Sequence, residues 1–168
     1  MRTVIGIDPG MAWLGFGVIE DGESPAALVY GVVATPPDWP PCDRLLHLYH
    51  ELGTLFDRFR PGVVAMEQLF FARNVTTALA VGQARGIVLL VAAQRRVRIV
   101  EYKPAEVKQM LTGYGRATKT QMQEMVRLIL GLPEQPRPDD AADALAIALC
   151  HVQKSRLERR LGLERETG

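Results

Sequence analysis

The run Val4-Ile5-Gly6-Ile7 is apolar at every position and then stops at a carboxylate, Asp8. An unbroken apolar run of this length suits a strand buried on both faces. Residues 13–19 alternate instead, with Leu14, Phe16 and Val18 on one face and Gly15 and Gly17 on the other. That pattern predicts a second strand whose glycine face lets another backbone or a ligand approach closely. Asp21-Gly22 marks a hairpin, and residues 27–33 return as a third strand, giving an antiparallel meander. Pro9-Gly10, directly after Asp8, reads as a type II turn.

Beyond a stiff connection holding Pro36, Pro37, Pro40 and Pro41, the apolar period changes from two to that of a helix. Leu45, Leu48, Tyr49, Leu52, Leu55, Phe56 and Phe59 form one stripe over residues 43–59, with His47 and His50 off or beside it as surface residues rather than ligands. A fourth strand over 63–66 again runs into an acid, Glu67. Phe70, Phe71 and Arg73 follow, a loop with two aromatics and a cation, of which one ring is free to serve as a stacking platform. Asn74 then caps a long helix reaching about Arg95, along which Ala78, Gly82 and Gly86 make a smooth ridge. The ridge faces either the sheet or a second subunit, and spacing alone leaves both open.

A fifth strand over 97–100 precedes three further helices. One opens at Pro104 and ends near Leu111, one opens with a capping box from Thr118 to Gln121, and the last begins at Pro138-Asp139-Asp140. Between Arg95 and Arg127, Lys and Arg outnumber Glu. Lys108 and Lys119 flank the glycine-rich loop Gly113-Tyr114-Gly115-Arg116, an arrangement suited to phosphate contacts as well as to a solvated face.

The pattern sets acids apart. Asp8 and Glu67 end neighbouring parallel strands, so both lie at the carboxyl edge where open α/β sheets bind ligands. Asp140 and Asp143 share a face in the first turn of a helix. Capping and the helix dipole explain Asp139 or Asp140, but Asp143 sits among small apolar neighbours that read as buried. Four such carboxylates repel one another unless hard divalent cations join them, and cations held that way suit phosphodiester hydrolysis.

Composition adds boundaries. The chain has 168 residues, 48% hydrophobic and 23% charged, with net charge +1, which fits one folded domain and does not by itself indicate nucleic acid. Cys42 and Cys150 match no metal or redox spacing, which favours a reduced, cytoplasmic setting. The best apolar run, residues 86–93, falls short of a membrane span, and the opening residues lead straight into a strand without a signal peptide. Residues 1–153 are expected to form the domain and 154–168 a mixed-charge, flexible tail, either a frayed extension of the last helix or disordered.

Five segments together carry a family resemblance: Gly6-Ile7-Asp8-Pro9-Gly10, Glu67-Gln68, Gly82-Gln83-Ala84-Arg85-Gly86, Val107-Lys108-Gln109 and Asp140-Ala141-Ala142-Asp143-Ala144-Leu145-Ala146. The sequence resembles the RuvC family of bacterial Holliday-junction resolvases along nearly its whole length. The resemblance implies an α/β, ribonuclease-H-like fold: a five-stranded mixed sheet in the order 3-2-1-4-5 with helices on both faces. It also implies a homodimer that nicks four-way DNA junctions symmetrically during recombination and repair, with two Mg²⁺ ions per active site for which Mn²⁺ substitutes. Carried across residue by residue, it makes Asp8, Glu67, Asp140 and Asp143 the catalytic and metal-binding acids. Phe70, Arg73, Lys108, Arg116 and Lys119 become DNA contacts, and Ala78, Gly82, Arg85 and Gly86 the dimer interface. Asp139 precedes the pattern, and the Asp-x-x-Asp spacing favours Asp140. The branch-migration proteins RuvA and RuvB are implied as partners.

Two other classes compete. The first hairpin also resembles the phosphate loop of the actin, heat-shock-70 and sugar-kinase superfamily, for whose two lobes 168 residues are too few. A junction-binding protein without cleavage is the third, and the intact set of acids argues against it.

Overall fold

The computed structural model describes residues 2–68 and 75–163; Phe70, Phe71, Arg73 and Asn74 lie outside them. Five strands form one sheet: β1 (Arg2–Asp8), β2 (Trp13–Asp21), β3 (Pro25–Ala34), β4 (Val63–Glu67) and β5 (Arg98–Tyr102), in the order β3-β2-β1-β4-β5. The meander β1-β2-β3 is antiparallel, while β4 and β5 run parallel to β1. This is the expected mixed sheet.

Helices α1 (Pro41–Phe59) and α2 (Val75–Gln94) pack on one face. Ile5, Ile7, Val64 and Met66 meet Leu48, Leu52, Phe56, Val88 and Val91 there. Helices α3 (Pro104–Thr112), α4 (Lys119–Leu130) and α5 (Asp139–Arg160) cover the other, with Val4 and Ala65 against Leu145, Leu149, Val107 and Val126.

Successive side chains of a strand point to opposite faces. Ile5 and Ile7 face α1 and α2, so Asp8 must share the α5 face with Val4 and Gly6. Ala65 faces α5 as well, which carries Glu67 to the same side. Ile7 pairs with Met66, so the two acids lie abreast where the strands end.

Glycines decide how close α5 comes. A Cβ on Gly6 would overlap the Ala144 carbonyl oxygen, one on Gly15 the Asp140 carbonyl, and one on Gly17 the side chain of Leu145. The glycine face of β2 therefore serves a backbone, that of α5. Overpacking at such a seam costs about 1–3 kcal/mol even where neighbours adjust, and here the obstacle is largely main chain. The close seat brings the first turn of α5 down to the strand ends.

Not every expectation holds. Gly10 is not among the glycines with positive φ, so the type II turn does not form. Its lack of a side chain is needed because a Cβ would collide with the Trp13 carbonyl as the chain folds over. The fifth strand extends to Tyr102, because Glu101 and Tyr102 pair with Met66 and Glu67. Of the two readings of the segment from residue 154, the helical extension is the one seen, through Arg160. Arg156 donates to Asp21 at 2.7 Å and to the Gly22 carbonyl at 2.7 Å, Arg159 reaches Asp21 at 2.8 Å, and Lys154 pairs with Glu106 at 2.8 Å. These partners stitch the last turns of α5 to the β2–β3 hairpin and to α3.

Finally, among the described residues α2 is long and apolar enough to cross a membrane, with a mean hydropathy of 1.6 and 22% of that window buried. Only one side of it, Ala84, Val88, Val91 and Ala92, packs on the sheet. Val75, Leu79, Leu89 and Leu90 face outward.

Candidate active site

The four acids approach one another from three elements: Asp8 and Glu67 from the ends of β1 and β4, Asp140 and Asp143 from the first turns of α5. Asp8 feels all three of the others. Burial first, then the charges of Asp143, Asp140 and Glu67, push its carboxyl up from 3.8 to about 7, with Lys119 opposing. Glu67 is raised by burial and by Asp143, against Lys108. Asp143 is raised by burial, and Lys119 is the main force pulling it back. Like charges crowded in a partly desolvated site resist ionisation together.

Asp139 behaves differently. It accepts from Gln123 Nε2 at 2.9 Å and pairs with Lys119 Nζ at 3.2 Å, and these bonds hold its carboxyl below the usual range. It is a satisfied helix-terminal acid and does not figure among the charges acting on Asp8. Asp140, by contrast, is among the charges that raise Asp8.

Local sequence fixes the cations. Thr118 and Gln121 form the expected capping box, with Thr118 Oγ1 accepting from the Gln121 amide at 3.2 Å and Gln121 Oε1 from the Thr118 amide at 2.8 Å. Lys119 is thereby the first residue of α4, and its ammonium spans Asp139 and Asp143, the latter at 3.4 Å. On α3, buried Val107 and Leu111 anchor the helix and leave Lys108 half-buried beside them. Gly113 closes α3 at φ 73°, a left-handed position that glycine takes without strain. Glu67, Lys108, Lys119 and Asp143 line one cleft of about 230 Å³. Arg116 is exposed in the loop between α3 and α4 and is not part of that cleft wall.

Sequence reasoning missed a brace beneath the site. Thr35 is 3% exposed; its hydroxyl donates to the Met11 carbonyl and its amide to the Ala12 carbonyl at 2.9 Å. Arg44 Nε donates back to Thr35 Oγ1 at 2.8 Å. The loop leading away from Asp8 is thus pinned by β3 and α1. A threonine after a strand and an arginine on an amphipathic helix carry no local signal of this.

Ala78, Gly82 and Gly86 lie along the outward side of α2, and a Cβ at Gly82 or Gly86 would meet nothing within 4 Å. Arg85 departs from the expectation that it belongs to this face. It turns toward the sheet and forms an ion pair with Glu101 of β5, its side chain 18% exposed. One step along the helix from buried Ala84, it is on the side that α2 presents to β5.

The donor chemistry fits hard divalent cations: oxygen ligands only, in numbers, destabilised by mutual repulsion. Among the described residues no three His, Cys, Asp or Glu converge tightly enough to hold an ion as they stand. The cluster is marked by its electrostatics, and Lys119 supplies part of the missing positive charge.

Comparison with known proteins decides the family. The model of the family described as crossover junction endodeoxyribonuclease RuvC matches residues 4–151. The chain belongs to the RuvC family. A RuvC from Thermomicrobium roseum is 63% identical over 153 residues, 91% of this chain and 94% of that protein. One from Roseiflexus sp. is 54% identical over 158 residues, covering 94% of each. Among solved structures, T. thermophilus RuvC in complex with Holliday junction substrate superposes with a TM-score of 0.86 at 41% identity, covering 94% of this chain and 96% of that one. The yeast mitochondrial Holliday junction resolvase Ydc2, at 16% identity and a TM-score of 0.65 over 94% and 83% of the two chains, shares the fold. RuvC proteins are crossover junction endodeoxyribonucleases, and the ribonuclease-H-like mixed sheet is the scaffold common to this chain and to them.

Proposed function

We propose that this protein resolves four-way DNA junctions by hydrolysing phosphodiester bonds at the Asp8, Glu67, Asp140 and Asp143 cluster, in recombination and repair. The observation that carries the reading is the shared field of these carboxylates, strong enough to push Asp8 up to about 7. A surface acid with no task would not be buried beside three others. Divalent cations, Mg²⁺ in the first instance with Mn²⁺ as substitute, supply an activated water and offset charge at the leaving oxygen when bound. The four carboxylates would hold them. Lys108 and Lys119, on the wall of the same cleft, engage the DNA backbone next to the scissile phosphate. Lys119 also offsets the charge of Asp143. Phe70, Arg73 and Arg116 are proposed as further DNA contacts.

Symmetric nicking of a two-fold junction needs two active sites in opposed orientation, which an isologous dimer provides. The outward face of α2, apolar at Val75, Leu79, Leu89 and Leu90 and smooth at Ala78, Gly82 and Gly86, supports pairing there. Such a face also accounts for the excess hydropathy of α2 without a membrane. Action on DNA beside branch-migration proteins RuvA and RuvB, and a cytoplasmic setting, belong to the same reading, which free Cys42 and Cys150 support. The test is nicking of a synthetic mobile junction against a linear duplex of the same sequence, each in Mg²⁺ and in chelator. Junction-selective, chelator-sensitive paired nicks are expected. Equal cleavage of the duplex, or cleavage in chelator, would overturn the reading.

A further inference from the structure

The acid cluster has a second flank. Next to the first turn of α5, Trp13, Arg44, Arg137, Asp139 and Asp140 line a groove of about 1010 Å³ whose lining does not include Lys108 or Lys119. Its size is that of a nucleotide-scale ligand site.

Two features of its wall call for an occupant. Trp13 is 51% exposed at the first position of β2, next to the loop that follows Asp8. Arg44 and Arg137 bring two guanidinium groups, and neither forms an ion pair with any carboxylate among the described residues; Arg44 bonds only to Thr35. Asp139 and Asp140 share the wall, and the charge of Arg137 acts on Asp139 without a direct ion pair. An open indole beside guanidinium groups that no carboxylate holds directly is the chemistry that takes an unpaired base on its face and the adjoining phosphates on its rim.

We propose that this groove holds an unpaired nucleotide of the strand being cut, on the opposite side of the scissile phosphate from Lys108 and Lys119. Its base stacks on Trp13 and its phosphates meet Arg137 and Arg44. Asp140, which lines the groove while acting on Asp8, is the link between the two flanks. The strand then crosses the acids from one basic wall to the other, and both sides of the reacting phosphate are fixed. Proximity of this kind lowers the barrier by holding the reacting atoms in place. The inference rests on the junction-cleaving reading above and adds a subsite to it.

The experiment uses the full-length protein and a four-way junction with 2-aminopurine beside the exchange point, in chelator. Aminopurine fluorescence is low when the base is stacked. Arg137→Gln is expected to weaken binding and to reduce the slope of log affinity against log salt by about 0.9, one phosphate's worth. Trp13→Ala is expected to weaken binding roughly fivefold or more and to brighten the aminopurine, whereas Trp13→Phe keeps it dim. Thermal melting checks each fold; should Trp13→Ala fail to fold, Arg137→Gln and Trp13→Phe decide. Lys119→Gln is the parallel control for the first flank. If Lys119→Gln lowers affinity and slope while the groove variants change neither affinity, slope nor fluorescence, the groove is not a nucleotide site and the function stands. If the wild-type protein binds the junction no better than duplex, the functional reading itself falls.

Discussion

Replacing Asp8 by Asn should make the metal-free protein more stable while destroying its activity, and the gain should depend on pH. Asp8 is lifted from 3.8 to about 7 because burial and three carboxylates disfavour its ionised form. A carboxyl with a raised folded-state pKa contributes stability that is complete below about 3.8 and is lost as pH rises through 7. At 1.36 kcal/mol per pH unit, the displacement corresponds to about 4 kcal/mol in total. An amide has no ionised form to disfavour, so Asp8→Asn escapes that loss. The variant's advantage over wild type should therefore grow by roughly 2–3 kcal/mol between pH 5 and pH 8.5. For a chain of this length that is on the order of 5–10 °C in Tm. Glu67 and Asp143 are raised too, so relieving one member of the cluster eases the others in the same direction. Thermal melting of both proteins in chelator across that pH range measures the difference. Adding Mg²⁺ should then stabilise wild type by ligand linkage and leave the variant nearly unchanged. A difference in Tm that is flat with pH would refute the electrostatic account of the cluster.

Other outcomes follow from the same geometry. Asp140→Asn should reduce nicking by at least about a hundredfold, the scale of losing one electrostatic catalytic group, while Asp139→Asn stays near wild type; the reverse result would move the register by one residue. Lys108→Gln and Lys119→Gln should each lower junction affinity and cut the salt slope by about one phosphate, or about 0.9, read by titration at several salt concentrations. Gly82→Leu should shift sedimentation toward monomer and uncouple the two nicks, and a variant that remains dimeric with paired nicks would place the interface elsewhere.

Much of the site could be read from local pattern because local pattern determines it. The period of two in β1 and β4 sends Asp8 and Glu67 to one face, and the capping box of α4 fixes Lys119. The glycine face of β2 announced a close approach, and the approaching backbone is that of α5. What escaped depends on partners distant in the chain. The ion pairs of Asp21 with Arg156 and Arg159 extend α5, but in sequence they look like a mixed-charge tail. Thr35 and Arg44 brace the Met11–Ala12 loop across a connection whose prolines say only that it is stiff. Arg85 turns inward because Glu101 waits on β5, which the ridge of small residues on α2 does not reveal.

The most direct test separates binding from cleavage at the four acids. Asp8→Asn, Glu67→Gln, Asp140→Asn and Asp143→Asn are each measured for junction affinity in chelator and for nicking of the same junction in Mg²⁺. The account predicts affinities within a few-fold of wild type for all four, and nicking lost in each. Substantial nicking by any variant that is folded and bound would contradict the claim that these carboxylates together form the hydrolytic centre.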